Sequence, residues 1–370
     1  MKVCLVWKHL EIFDRYVPQM KAIADNVDSF YVTYFWGNPK DEWKRYFEFE
    51  KLNLKGYRNR YYRYVRSLIS TKWFKNLPMY KQLINIDPDV FYCLSGTQEP
   101  AYYFSKATAI PYVVRLRGNY FKVRNAMNVM WWKKEINNYL DTKFLVEANL
   151  VIPISTNLKE EALLWGVPSD KISTVIGLGV DTDLFKPVNV NIEDEFVVGY
   201  AGRVSPEKGG ARLISIAKQL PEIRFIVAGK NQMPEVFPPK LKNLSYLGEL
   251  TLNKMPWFYN NCDLIILPSY TEGFPNVVIE AYACQKPILA TPESFPLGDL
   301  DIFGEVAPFD RWVESLMRLK KDGSRLKHLG ENARRYVKKY FTWESFGKKI
   351  ANHLRSVVRG EHSGKKKVCN

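Results

Sequence analysis

The sequence predicts an α/β protein built from two doubly wound domains. Short apolar runs alternate with longer helix-compatible stretches, which is typical of a parallel sheet covered by helices on both faces. The chain of 370 residues is long enough for two hydrophobic cores. A polar stretch from Lys186 to Glu195, KPVNVNIEDE, divides the two series of runs and is interpreted as a linker.

Each series contains several runs that fit buried strands. The first half supplies KVCLVW, FYVTYF, VFYCLS, YVVRLR, LVIPIS and ISTVIG, and the second half supplies FVVGYAG, RFIVAG, LSYLG, LIILPS and PILAT. We therefore expect domains at residues 1–187 and 195–340, a last helix at 341–358, and a disordered basic tail at 359–370.

Composition narrows the class of protein. No apolar stretch approaches the ~20 residues that span a bilayer, and the start MKVCLVWKHL does not fit a signal peptide, so a cytoplasmic protein is expected. The five cysteines are scattered and there are four histidines, which argues against a disulfide framework or a structural zinc site. Core packing is the expected role of Cys4, Cys93 and Cys262, which adjoin apolar runs.

The most informative segment is EGFPNVVIE at residues 272–280. It follows the apolar run DLIILPS and precedes a helical stretch, so it lies at a strand-to-helix turn, where open α/β sheets bind ligands. Backbone N–H groups near Gly273 and a helix beginning near Asn276 suit a diphosphate. Glu280, one turn into the helix, can accept hydrogen bonds from a ribose, and Glu272 lies beside a group attached to the diphosphate. The alternative is a helix cap with two solvated glutamates.

A second loop carries two cations. The run FVVGYAG is followed by Arg203, Lys208 and neighbouring glycines that let backbone approach a ligand, and then by an amphipathic helix. Together with the first turn, this loop is interpreted as a diphosphate clamp.

These segments resemble the retaining glycosyltransferases of the GT4 family, which have the GT-B fold. The residues that carry the resemblance are the E-x7-E element, GR followed by EKGG, and LWGVPSDKISTVIGLGVDTDLFKP at residues 164–187. The resemblance implies two Rossmann-like domains facing across a cleft, with the donor mainly on the second and the acceptor mainly on the first. It also implies that the last helix packs on the first domain.

The resemblance assigns roles to residues in the matching motifs. Arg203 and Lys208 hold the nucleotide diphosphate, Glu272 lies beside the transferred sugar, and Glu280 binds the ribose. Four residues are expected to line the sugar and phosphates: Gly273, Phe274, Pro275 and Asn276.

The first domain departs from the family at two places. The loop after the first strand, WKHLEIFDRY, lacks the usual glycines, and Arg117 stands where many relatives carry a histidine. Arg117 can hydrogen-bond a sugar hydroxyl, a carboxylate or a phosphate, or it pairs with a surface acid. His9 is a second acceptor-side candidate.

Two D-x-D sequences spell a metal motif, at residues 87–89 and 181–183. Both fit turns better, so no metal site and no cofactor is expected, and the charge opposite the diphosphate comes from Arg203, Lys208 and a helix terminus.

The formal net charge of +15 is concentrated in one segment. Residues 40–81 contain twelve Lys or Arg and four Asp or Glu, mixed with aromatic residues. This mixture suits an anionic membrane surface on the cytoplasmic side, with Trp43, Trp73 or Phe74 inserted at the interface. An ordinary solvated face is the alternative, and nucleic-acid binding is not expected because no recognised module accompanies the charge.

The combined interpretation is a retaining, metal-independent glycosyltransferase of the hexosyltransferase type. It would move a sugar from a UDP- or GDP-sugar donor to a glycan or lipid-linked acceptor in polysaccharide or glycolipid biosynthesis. Two alternatives stay open: a nonhydrolysing nucleotide-sugar epimerase, and a non-enzymatic module that binds membrane or nucleic acid. A dinucleotide dehydrogenase is disfavoured because no G-x-G-x-x-G follows the first strand.

Overall fold

The chain folds into two compact units in a computed structural model. Unit 1 comprises Met1–Gly177 and Phe346–Asn370, and unit 2 comprises Leu178–Ser345. The residues that the structure describes are 1–7, 9–52, 78–117, 130–188, 195–294 and 303–361.

Unit 1 is built on a six-stranded sheet with the order β3-β2-β1-β4-β5-β6, in which every neighbouring pair is parallel. Its strands are β1 Lys2–Val6, β2 Ser29–Tyr34, β3 Glu48–Lys51, β4 Val90–Leu94, β5 Tyr112–Leu116 and β6 Leu150–Pro153. Its first helices are α1 Val17–Ala24, α2 Pro78–Ile86, α3 Gln98–Thr108, α4 Trp131–Val146 and α5 Thr156–Leu164.

Unit 2 repeats this plan with a six-stranded parallel sheet of order β12-β11-β10-β7-β8-β9. Its strands are β7 Val197–Ala201, β8 Arg224–Ala228, β9 Leu244–Tyr246, β10 Leu264–Leu267, β11 Ile288–Ala290 and β12 Glu305–Val306. Its helices are α6 Gly210–Gln219, α7 Met255–Asn260, α8 Asn276–Ala283, α9 Trp312–Lys321 and α10 Gly323–Tyr340.

The last helix, α11, runs from Trp343 to Val358 and belongs to unit 1 from Phe346 onward. Its buried face packs closely on α1, because a Cβ added at Gly347 would overlap the carbonyl of Ala22. The guanidinium of Arg355 donates a hydrogen bond to the carbonyl oxygen of Asn26.

The unit 2 sheet has a separate apolar core on each face. Val197 and Ala201 of β7 pack in one core, whereas Val198 and Tyr200 pack in the other. Side chains that alternate between two covered faces explain why the strands read as continuous apolar runs rather than alternating patterns. The doubly wound arrangement expected from the sequence is confirmed in both units.

Three sequence expectations on strands and boundaries differ from the structure. ISTVIG forms no strand: Ile172 makes only an isolated bridge to Val151, and the carbonyls of Ile176 and Gly177 accept hydrogen bonds from Arg115 instead of a neighbouring strand. The polar edge strand β3 lacks the apolar pattern that would have predicted it. Unit 1 ends at Gly177 rather than 187, because Val180 and Phe185 are buried in the core of unit 2.

Most of the predicted linker, at 189–194, and most of the tail, at 362–370, lie outside the described residues. The cysteine expectation is confirmed, since Cys4, Cys93 and Cys262 are fully buried free thiols, as is Cys284.

Candidate functional site

The predicted donor loops leave two strands that are neighbours in the unit 2 sheet. The chain passes from β7 to β8 and β9 on one side, and from β10 to β11 and β12 on the other. The crevice between β7 and β10 is therefore the topological switch point, where open α/β sheets bind ligands. Loop 202–209 follows β7 and loop 268–275 follows β10, so both reach this point.

The two loops are in direct contact. The N–H of Tyr270 donates to the carbonyl of Glu207 at 3.0 Å. Gly209 has a φ of +76°, and a Cβ added there would lie 2.2 Å from the carbonyl oxygen of Pro268. Gly209 is thus required for close packing of the loops, not for a ligand as its position suggested. Gly202 is better placed to let the backbone approach a ligand, because its φ is +144° and the space beside it is open.

Lys208 and Glu272 form an ion pair at the centre of the site. The Nζ of Lys208 lies 2.5 Å from one carboxylate oxygen of Glu272, and the hydroxyl of Ser269 donates to the other at 2.7 Å. The Glu272 side chain is 9% exposed and that of Lys208 is 23% exposed. Lys208 has further N–H donors, so one ammonium group can link Glu272 to a bound anion.

Arg203 is more open to solvent. Its guanidinium lies 3.3 Å from a carboxylate oxygen of Glu207 and 3.4 Å from the side-chain oxygen of Gln232. These exposed contacts are long and contribute little stability, so the guanidinium is available to a ligand at modest cost.

Tyr200 is a site residue that sequence reasoning missed. Its buried hydroxyl lies 2.7 Å from the carbonyl of Arg203 and 3.1 Å from that of Lys208. One hydroxyl under the loop therefore fixes the backbone at both predicted clamp residues. Within an apolar strand run, nothing distinguishes such a tyrosine from core.

Glu280 lies in the first turns of α8, as expected, and is partly buried. The hydroxyl of Tyr259, on α7, donates to its Oε2 at 2.7 Å. Burial raises the pKa of Glu280 to about 7, and the hydrogen bond from Tyr259 acts in the opposite direction. Tyr259 was also missed, because no sequence spacing connects it to Glu280.

The residues between the two glutamates have different environments. Asn276 is exposed and is the first residue of α8, where the sequence placed the start of a helix. The preceding residue, Pro275, is buried and makes no side-chain cap. Phe274 packs on the unit 2 core, with its ring centroid 6.2 Å from that of Phe341. Gly273 is partly exposed beside Glu272.

The acceptor-side candidates lie at the carboxyl edge of the unit 1 sheet. His9 follows β1, is exposed, and stacks on Trp36 with centroids 4.5 Å apart. Arg117 follows β5, is partly buried, and lies 4.4 Å above the ring of Tyr16. Within the described part of the chain Arg117 has no ion-pair partner, so the surface-acid alternative has no support there.

The D-x-D aspartates serve backbone groups. A carboxylate oxygen of Asp181 accepts from the N–H groups of Asp183 and Leu184, both at 3.0 Å, and Asp89 accepts from the N–H of Lys2 at 2.6 Å. The described residues contain no cluster of three His, Cys, Asp or Glu side chains suited to a metal ion.

The basic segment at 40–81 is described only at its ends. Trp43 is 3% exposed and packs against Phe13, so the expectation that it inserts into a membrane is wrong: its ring belongs to the unit 1 core. Trp73 and Phe74 lie outside the described residues. Among the described helices, none combines the length and apolar character needed to span a bilayer.

The two parallel sheets and the paired loops at a switch point correspond to the two-domain GT-B fold. Residues 181–336, a range that includes Arg203, Lys208 and both glutamates, match the family described as glycosyl transferases group 1. The resemblance to GT-B glycosyltransferases is thereby confirmed.

Two curated relatives and one solved structure illustrate the similarity. The chain is 27% identical over 210 residues to the alpha-galactosylglucosyldiacylglycerol synthase of Streptococcus pneumoniae, covering 49% of this chain and 54% of that protein. It is 25% identical over 243 residues to the capsular polysaccharide biosynthesis glycosyltransferase CapM of Staphylococcus aureus, covering 58% and 63%. The chain thus spans less than two thirds of the length of these relatives.

The solved structure is that of HepE from Anabaena in complex with UDP, with a TM-score of 0.76 and 18% identity, covering 96% of this chain and 100% of that one. The same Anabaena protein has been solved with UDP-glucose. At this identity the likeness concerns the fold alone.

Proposed function

We propose that this protein is a retaining glycosyltransferase that moves a sugar from a nucleotide diphosphate donor to a glycan or lipid-linked acceptor. The observation that carries the proposal is the pairing of Lys208 with Glu272 at the switch point of unit 2, beside the partly buried Glu280. The proposed diphosphate cations, Arg203 and Lys208, lie on the loop after β7. The proposed ribose carboxylate, Glu280, lies on the helix that follows the adjacent loop.

The proposed chemistry follows from where charge develops. As the glycosidic bond breaks, negative charge grows on the leaving diphosphate, and Lys208, Arg203 and the backbone amides of the loops would stabilise it. Positive charge grows at the anomeric carbon, and the carboxylate of Glu272 would offset it. The ion pair with Lys208 and the hydrogen bond from the hydroxyl of Ser269 fix the position of this carboxylate.

No described metal-ligand cluster accompanies the site, and the two cations can supply the charge that a metal would otherwise provide. We therefore propose turnover without a metal ion. Retention of anomeric configuration rests on the family resemblance, and product stereochemistry by proton NMR tests it.

The donor and acceptor classes are proposed from the relatives. UDP and UDP-glucose complexes of the Anabaena structure make UDP-sugars the first donors to try, followed by GDP-sugars. The two curated relatives are named for a glycolipid and a capsular polysaccharide, which supports a lipid-linked or glycan acceptor.

The testing experiment is a thermal-stability screen of UDP- and GDP-sugars followed by a transfer assay. A ligand at 100 times its dissociation constant stabilises the folded protein by about 2.7 kcal/mol, which is easily detected. Epimerised donor in the absence of acceptor would instead indicate a nucleotide-sugar epimerase. Salt-dependent binding to membrane or nucleic acid without any turnover would indicate a binding module.

We also propose a peripheral position on the cytoplasmic face of the membrane, supported by the +8 balance of residues 40–81. Vesicles with anionic lipid should sediment the protein at low salt, and less so as salt rises, because the Debye length is about 8 Å at physiological ionic strength. Changing Arg58, Arg60, Arg63 and Arg66 to Ser should reduce binding. Indifference to those changes would leave the segment an ordinary surface.

A further inference from the structure

Three polar side chains lie near the carboxyl edge of the unit 1 sheet. Tyr92 on β4 is paired in register with Val113 on β5, so Tyr92 and Arg115 project from the same face of the sheet. Arg117 follows the end of β5. Tyr92 and Arg115 are fully buried, at 0% exposure each.

Arg115 is only partly satisfied by protein groups. Its Nη2 donates to the carbonyls of Ile176 and Gly177 at 3.0 and 2.9 Å, and its guanidinium lies 4.7 Å from the ring centroid of Phe346. Its Nη1 and Nε atoms are buried and have no hydrogen-bond partner among the described residues. Burial lowers the pKa of Arg115 to about 10, so the group is still charged at neutral pH.

Two more polar atoms of the cluster lack hydrogen-bond partners within the part of the chain that the structure describes. They are the hydroxyl of Tyr92 and the Nε of Arg117, both buried, while the rest of Arg117 is partly exposed above Tyr16. The charge of Arg117 further lowers the pKa of Arg115, so the two guanidinium groups are within electrostatic range of each other.

The cluster carries two positive charges and, among the described residues, no carboxylate pairs with either. Carbonyl dipoles and aromatic faces offset part of the charge, but neither supplies a formal negative charge. Unpaired polar groups in a buried site destabilise the folded protein, and charged groups do so more strongly, unless a ligand or water satisfies them. An anion at the exposed end of Arg117 would compensate for the repulsion between the two arginines.

We propose that Arg117, supported from behind by Arg115, binds a phosphate-type oxyanion carried by the acceptor. The proposal rests on the glycosyltransferase function above and makes the acceptor substrate anionic. A guanidinium fork matches the spacing of phosphate oxygens and holds them by two parallel hydrogen bonds. The half-buried position of Arg117 strengthens these bonds by excluding water from one side.

The test is binding of inorganic phosphate and glycerol 3-phosphate by isothermal titration to four proteins and one control variant. The four are the wild type, Arg117→Ala, Arg117→Lys, and the double variant Arg203→Ala/Lys208→Ala, in which phosphate cannot be held by the donor loops. Arg359→Ala removes an exposed arginine of the same unit, outside the basic segment 40–81, and serves as the matched control.

Arg117→Ala should weaken binding of both probes by about 10- to 100-fold, as expected for loss of a charge-assisted contact. Arg117→Lys should recover only part of it, because lysine keeps the charge but loses the fork. The double variant loses any phosphate held by the donor loops but should keep a second phosphate site that Arg117→Ala lacks, and Arg359→Ala should bind as the wild type does. Equal phosphate affinity in Arg117→Ala and wild type, or loss only in the double variant, would overturn the proposal.

Two further measurements locate the source of the anion and separate this proposal from the general function. If Arg117→Ala binds phosphatidylglycerol vesicles more weakly than the wild type does, the oxyanion is a lipid headgroup. If Arg117→Ala binds only the soluble probes more weakly, the oxyanion belongs to a phosphorylated soluble acceptor. Affinity for the nucleotide diphosphate should be the same in Arg117→Ala and wild type. Absence of nucleotide binding in the wild type would contradict the donor site, whatever the result with phosphate.

Discussion

The hydrogen bond between Tyr259 and Glu280 gives a sharp test of the ribose role. Tyr259→Phe removes one hydroxyl that donates to Oε2 of Glu280 at 2.7 Å and leaves the buried ring in place. A hydrogen bond to a charged group is worth about 1.5 to 3 kcal/mol. If the whole free energy of this hydrogen bond served to position the carboxylate for the ribose, nucleotide affinity would fall by about 10- to 100-fold. This loss is the largest expected for Tyr259→Phe.

The same change should shift a pH dependence. The pKa of Glu280 is raised to about 7 by burial. The ionised carboxylate accepts hydrogen bonds from ribose hydroxyls more strongly than the neutral acid does. Nucleotide affinity should therefore strengthen as pH rises through about 7. Because the Tyr259 hydrogen bond lowers this pKa, Tyr259→Phe should move the midpoint to higher pH. The free energy of unfolding of the nucleotide-free protein changes with pH in the opposite direction. Because the pKa of Glu280 is raised in the folded state, this group stabilises the fold fully below about pH 4.5, and the contribution is lost as pH rises toward 7.

The assay is calorimetric titration of UDP and 2′-deoxy-UDP, or the matching guanine pair, between pH 6 and 9. Wild type should prefer the ribonucleotide, and Tyr259→Phe should reduce that preference. Tyr112→Phe is the matched control, because its buried hydroxyl donates to the carbonyl of Phe144 at 2.6 Å in unit 1. An unshifted midpoint together with an unchanged ribose preference in Tyr259→Phe would refute the positioning role.

The other predictions concern the loops and the proposed independence of turnover from metal ions. Arg203→Ala and Lys208→Ala should each lower kcat/KM by about 10- to 1000-fold and weaken the free nucleotide diphosphate; nucleotide affinities equal to wild type would remove both from the clamp. Glu272→Gln should mainly lower kcat, whereas Glu280→Ala should mainly raise the donor KM, and identical effects on affinity without loss of rate would make Glu272 structural. Turnover should survive EDTA, and loss that manganese restores would contradict metal independence. Gly209→Ala should lower the free energy of unfolding by at least about 1 to 3 kcal/mol, measured by denaturant titration, because it strains a backbone with φ of +76° and overlaps Pro268.

The local character of the donor loops was predictable from the sequence. Runs of branched apolar residues specify buried parallel strands, and the turn after each is fixed by short-range chemistry. The E-x7-E spacing places Glu280 within the first turns of α8, where the structure has it. The same reasoning fails for β3, whose residues Glu48–Lys51 are polar, and for ISTVIG, whose last carbonyls are taken by an arginine distant in sequence.

The aromatic residues of the basic segment also show what sequence composition cannot predict. Trp43 lies among Lys and Arg residues in the sequence, which suggested a surface role. Its burial depends on Phe13, a residue on another part of the chain. Burial is a property of the neighbours that folding supplies, so composition alone could not predict it.

The sequence by itself determined the fold class, the two donor loops and the residue types they present, because strand, turn and helix signals act over a few neighbouring residues. Only the tertiary structure decided that β7 and β10 are adjacent, and with that the 2.5 Å ion pair between Lys208 and Glu272. It also decided the partners of the functional groups: Tyr200 under the cationic loop, Tyr259 on Glu280, and the carbonyls of Ile176 and Gly177 on Arg115. These contacts join residues from separate elements, and their energies depend on distances and burial that exist only after the sheets are assembled.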